Sequence, residues 1–131
     1  MLRLDPGEEL HASLCALFEV LELSGASVTS GIGRVREFDV GYLDSSGEYQ
    51  HNVIVGPVEL LSLQGNIARL DGEPFSHLHA VASADDHLVI GGHLFGALVE
   101  VTAEIHLRVL EGVVMTRCAV QNSDFKALDF Q

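Results

Sequence analysis

The sequence predicts an α/β domain of the α+β type, a mainly antiparallel β-sheet with one amphipathic helix packed on it. Three observations carry this. Apolar residues recur at helical spacing only once, near the start of the chain; after Gly25 the spacing becomes two; and short turn signals separate the alternating runs. The 131 residues suit one hydrophobic core, so residues 1–131 are read as a single domain that needs no disulfide or metal staple. Any metal would then point to function.

Asp5-Pro6-Gly7-Glu8 reads as a helix start, with Asp5 as N-cap, Pro6 in the first helical position and Glu8 completing an approximate capping box. Leu10, Leu14, Leu17, Phe18 and Leu21 then form one apolar face, and Ser24-Gly25 supplies the stop. Beyond it, Phe38, Val40 and Tyr42 alternate with Glu37, Asp39 and Gly41 before the turn Asp44-Ser45-Ser46-Gly47, and Tyr49 to Val55 returns as a hairpin strand. Val58 to Leu70 runs to the turn at Asp71-Gly72-Glu73-Pro74, and strands follow at Phe75 to Ser83 and His87 to Ile90. The clearest strand is late, where Val99, Val101, Ala103, Ile105, Leu107 and Val109 alternate with polar residues. Met115 to Val120 is a last short strand, and residues 121–131 form a C-terminal tail whose Phe125 and Phe130 are expected to dock on the body.

Seven Lys and Arg stand against nineteen Asp and Glu, a net charge of -12. Nonspecific grip on nucleic acid comes from cations that displace counterions, so tight DNA binding by one subunit is disfavoured. No run of the roughly eighteen apolar residues needed for a membrane span occurs, and the acidic start lacks the form of a secretory signal. The expected location is cytoplasmic. Cys15 and Cys118 lie far apart without a C-x-x-C motif and read as two reduced thiols in or near the core.

The histidines are the only chemical lead. His77 and His79 in Phe75-Ser76-His77-Leu78-His79 are two apart on a strand and therefore share a face. A turn at Ala84-Asp85-Asp86-His87 leads to Gly91-Gly92-His93, so a hairpin could return His93 near the pair, with the glycines permitting close backbone approach. Three neutral imidazoles suit zinc or a similar divalent ion, with His87 the substitute ligand, while His11, His51 and His106 read as surface or satisfied side chains. Gly31-Ile32-Gly33 lacks the third glycine of a dinucleotide loop, and no P-loop, serine elbow or carboxylate pair is present. No catalytic residue is nominated.

Ser30-Gly31-Ile32-Gly33, Val35-Arg36-Glu37-Phe38, Gly56-Pro57-Val58-Glu59-Leu60-Leu61-Ser62-Leu63-Gln64-Gly65-Asn66, and Pro74-Phe75-Ser76-His77-Leu78-His79 through Gly91-Gly92-His93-Leu94 resemble the PPC domain, conserved in plants and prokaryotes. The resemblance runs from the first helix through the strand ending at Leu110. It implies a homotrimer and the prokaryotic single-domain type, in which metal is associated with the H-x-H and G-G-H blocks; ligand roles thereby fall to His77, His79 and His93, with zinc the first choice. In plant nuclear proteins the domain follows a minor-groove-reading AT-hook, an element missing from this chain.

Three functions follow. The first is a metal-binding, homotrimeric interaction or regulatory module. The alternative is a DNA-binding, transcription-associated protein, the label commonly attached to prokaryotic members, with Arg34 and Arg36 as a local basic patch repeated by the trimer. The second alternative is a metal-dependent hydrolase or lyase that uses an open coordination position for a small ligand. The ligand, partner and pathway stay open, as does whether a second-shell acceptor is Glu100, Glu104 or a backbone carbonyl.

Overall fold

Eight strands and one helix make up the fold in this computed structural model, which describes residues 1–121 and 125–131. In chain order they are β1 (Leu2–Leu4), α1 (Leu10–Val20), β2 (Ala26–Leu43), β3 (Tyr49–Ile54), β4 (Val58–Leu70), β5 (Glu73–Ser83), β6 (Val89–Val109), β7 (Met115–Ala119) and β8 (Lys126–Phe130). Apart from one parallel bridge between β4 and β7 at Arg69 and Thr116, the strands pair antiparallel. β2 pairs with both β4 and β6, and β5 joins β4 to β6, so four strands close into a ring.

The amphipathic helix is present, and Leu10, Leu14 and Phe18 are fully buried on its inner face, against β4, β5 and β6. Each such side chain contributes about 1.5–3 kcal/mol by leaving water. The helix starts later than the capping signal predicts, at Leu10, with the Glu9 carboxylate accepting from the Ala12 N–H at 2.7 Å. Asp5 and Glu8 do meet, through the Asp5 N–H and the Glu8 carboxylate at 2.6 Å, but they close a turn. The reason is tertiary: Gly7 sits at φ +90°, its N–H donates to the Val99 carbonyl, and Glu8 accepts from the Val99 N–H. Pairing with β6 thus holds this segment out of the helix, and the same pairing extends to the unanticipated β1. At the other end the helix stops before Ser24-Gly25. Glu22 takes the left-handed conformation, φ 50°, and the Leu23 N–H bonds back to the Phe18 carbonyl, leaving Leu21 exposed.

The predicted β2–β3 hairpin forms in the register Phe38 to Ile54 through Leu43 to Tyr49. Asp44 organises its turn by accepting from the Ser46 hydroxyl and N–H, the Glu48 N–H and the Gln50 amide. These bonds, led by Ser46, hold its carboxyl at about 2. The two late strands expected around the Gly91-Gly92 step are instead one strand, β6, of 21 residues. Glycine weakens a strand, yet here partners flank both halves: β5 pairs Val89 to His93, and β2 pairs His93 to Val109.

Both cysteines are free thiols, but Cys118 is exposed on β7, which corrects its placement in or near the core; Cys15 is half-buried on α1. The predicted tail includes residues 122–124, which lie outside the described residues, and the remainder forms β8 along β7. Phe130 is 59% exposed, so it does not dock as expected.

Candidate metal centre

The alternation of β5 sends Ser76, Leu78, Ala80 and Ala82 into the core and leaves His77 and His79 on the opposite face. β6 brings His93 opposite His79 in register. The close approach expected at Gly91-Gly92 is present: a Cβ on Gly92 would lie 2.4 Å from the Gly41 carbonyl oxygen of β2, and one on Gly91 would lie 2.6 Å from that of Ala80. The glycines thus let β6 press between β2 and β5 and set His93 beside the pair.

One ligand atom from each of His77, His79 and His93 lies within 4.8 Å of the others. The ring centroids stand 5.3 Å apart for His77 and His79, 5.0 Å for His77 and His93, and 5.5 Å for His79 and His93. His87 does not join this group; it occupies the β5–β6 turn at φ 62°. The remaining histidines have other partners: His11 contacts the Ser76 hydroxyl at 2.7 Å and the Leu94 carbonyl at 3.0 Å, His51 pairs with Asp39 at 2.9 Å, and His106 meets Thr29 at 2.5 Å.

Two residues join the site that sequence reading did not anticipate. Arg117 of β7 is only 7% exposed and donates through Nη2 to Asn66 Oδ1 at 2.8 Å and to His77 Nδ1 at 3.0 Å, while Nη1 donates to the Lys126 carbonyl at 2.9 Å. Asn66 lies opposite His77 in the β4–β5 register. The one local signal for Arg117 is an arginine at an inward position of a short apolar strand, two residues after the buried Met115. Neither carboxylate weighed as a second-shell acceptor lines this pocket: Glu100 pairs with Arg36 at 3.1 Å, and Glu104 borders a separate depression with Ile32 and Val101.

A guanidinium cannot accept a hydrogen bond, so His77 Nδ1 is the acceptor and the neutral ring carries its hydrogen on Nε2. Burial, followed by the Arg117 charge and then His93 and His79, lowers the His77 pKa to about 4. Burial, followed by His79, also lowers that of His93, and burial lowers that of Arg117. His77 and His93 are therefore neutral at pH 7, the form that ligates metal. Among the described residues the buried His93 Nδ1 has no hydrogen-bond partner. An orphaned imidazole nitrogen beside two further rings fits a divalent ion. His77, His79 and His93 would hold such an ion, which would supply a Lewis-acidic centre there.

The lowered His77 pKa has a consequence for stability. Below the ordinary imidazole value of 6.5 the unfolded chain takes up a proton that folded His77 refuses until about pH 4. Chelator-stripped protein should therefore lose stability as pH falls from about 6.5 to about 4, by about 1–2 kcal/mol after solvent screening. Urea midpoints at pH 7.5 and pH 4.5, with His77→Gln alongside, test this: the variant should show a shallower fall, and equal slopes would remove His77 as the source.

Residues 1–111 match the family described as the Plants and Prokaryotes Conserved (PCC) domain. No curated protein matches the chain. Among solved structures, a plant- and prokaryote-conserved protein of Pyrococcus horikoshii is 33% identical, with a TM-score of 0.85, over 92% of this chain and 83% of its own. A metal-containing protein of Archaeoglobus fulgidus is also 33% identical, with a TM-score of 0.86, over 96% of this chain and 89% of its own. A candidate DNA-binding protein of Ralstonia eutropha JMP134 is 25% identical, with a TM-score of 0.89, over 98% of this chain and 88% of its own.

Proposed function

The chain belongs to the Plants and Prokaryotes Conserved (PCC) domain family, and from this premise we propose that it is a metal-binding interaction or regulatory module whose ion is held by His77, His79 and His93. The observation that carries the reading is the group of three imidazoles, with one ring nitrogen of each within 4.8 Å of the others. An all-nitrogen, neutral donor set favours zinc over magnesium or calcium, which take oxygen ligands. The metal-containing Archaeoglobus relative supports the same reading. Once bound, zinc would supply an electrophilic position for water or an anionic ligand.

The DNA-binding alternative draws on the Ralstonia neighbour. Against it, both arginines of the expected basic patch meet carboxylates, Arg34 with Glu59 at 2.7 Å and Arg36 with Glu37 and Glu100. Paired guanidiniums on an acidic chain displace few counterions. The hydrolase or lyase alternative needs a base, and with His77 and His93 engaged as ligands the described pocket residues that could serve are Tyr49 and Lys126.

Assembly as a homotrimer is the expected frame. It is supported by the exposed apolar side chains Ile32, Leu61 and Val101, which line one depression on the β2–β4–β6 face.

Elemental mass spectrometry on untagged protein tests the metal reading. About one zinc per chain is expected, falling below about one tenth in His77→Ala/His79→Ala. No metal in either protein, with none taken up on zinc addition, overturns it.

A further inference from the structure

We propose that the pocket beside the histidine trio binds a small organic carboxylate, its head held by Arg117 and Lys126 and its apolar body seated against Tyr49, Phe75 and Phe125. The cavity measures about 560 Å³, within the range of small-molecule sites, and it is open to one side of His77 and His93.

Charge makes the first argument. Arg3, Arg34, Arg36 and Arg69 each meet a carboxylate. Arg117 is the buried arginine, yet among the described residues its acceptors are all neutral: the Lys126 carbonyl, Asn66 Oδ1 and His77 Nδ1. Its Nε is buried with no acceptor among the described residues. A desolvated guanidinium with an unused donor, on a chain of nineteen acidic residues, is a site prepared for an anion that the described residues do not supply.

The chemistry of His77 makes the second. A neutral ring ligates through a nitrogen that carries no hydrogen. His77 either offers Nδ1, which displaces Arg117, or moves its hydrogen from Nε2 to Nδ1, which ends the acceptor role there. Either way the Arg117 Nη2–H loses one acceptor when His77 becomes a ligand, and the local positive charge grows. An anion satisfies both.

Shape and donor count choose the class. The guanidinium fork matches a carboxylate, and Lys126 adds one further cation at an exposed position. The rest of the wall is largely apolar or aromatic, Leu43, Tyr49, Phe75 and Phe125, which suits an aromatic or aliphatic body and offers too few donors for a phosphate.

The inference rests on the metal reading for one pole of the site, whereas Arg117 and Lys126 act without the ion. The test is calorimetric titration of the full chain, zinc-loaded and chelator-stripped, with phenylacetate, phenylacetamide and inorganic phosphate. Phenylacetate should bind saturably and at least about tenfold more tightly than the amide or phosphate. Arg117→Gln should weaken it at least about tenfold, and Lys126→Gln, at an exposed position that leaves folding intact, about threefold. Equal binding of the amide, equal binding of phosphate, no binding of phenylacetate, or wild-type affinity in Lys126→Gln overturns the proposal. Arg117-dependent binding of phenylacetate by protein that takes up no zinc would sustain it while the metal reading fails; zinc uptake without phenylacetate binding would do the reverse.

Discussion

A Gly65→Ala variant is expected to lose the histidine site together with more than about 3 kcal/mol of stability. Gly65 lies on β4 opposite Leu78 of β5, one step from the Asn66–His77 pair. A Cβ there would stand 2.0 Å from the His77 carbonyl oxygen and 3.0 Å from Leu78 Cα, and the residue holds φ at +156°. The obstructing atoms are backbone, so no side chain can turn aside; β4 and β5 would have to part, breaking ladder hydrogen bonds and carrying His77 away from His93 and Arg117. Gly56→Ala is the control, because nothing lies within 4 Å of its added Cβ and its φ is not in the left-handed range. It should stay within about 0.5 kcal/mol of wild type. Urea denaturation and zinc content measured on the same samples check both. A Gly65→Ala protein that holds its zinc and its midpoint would mean that the two strands separate far more cheaply than their register suggests.

Zinc itself should stabilise the fold. Binding to the native state alone adds about 2.7 kcal/mol at a free concentration one hundred times the dissociation constant, and about 4.1 kcal/mol at one thousand times. His93→Gln should abolish that gain and lower the zinc-free midpoint only by what the ring's packing against Tyr49 and Phe95 contributes, since its Nδ1 has no hydrogen bond to lose among the described residues. The gain should shrink as pH falls toward about 4, where folded His77 takes up a proton in competition with the ion. Thermal melts with and without zinc, at pH 7.5 and about pH 4, read both effects. A wild-type melt that does not respond to zinc would remove the ion from any structural role.

Much of this was legible in the residues. Leu10, Leu14 and Phe18 mark the buried helix face, because three- and four-residue spacing is local to a helix. Asp44-Ser45-Ser46-Gly47 marks the hairpin turn, because Asp44 bonds within six residues of itself. His77 and His79 share a face by the period of two alone, and Gly91-Gly92 signals the close approach that sets His93 beside them. The helix start was misplaced for a physical reason: the Asp5–Glu8 contact is real, but Val99, far along the chain, takes the backbone groups that a helix would need.

The period of each element, the buried helix face, the shared face of the histidine pair and the family are written in the order of the residues, since each depends on neighbours a few residues apart or on ordered blocks of residues. Folding in three dimensions makes β6 one strand, pairs Arg34 and Arg36 with carboxylates, and brings Arg117 within 3.0 Å of His77 across forty residues of chain. Those outcomes are set by strand pairing, which exchanges hydrogen bonds between segments that share no local pattern. The charge on Arg117 is readable from the sequence; the burial that gives it only neutral acceptors among the described residues exists only when β4, β5, β7 and β8 are assembled.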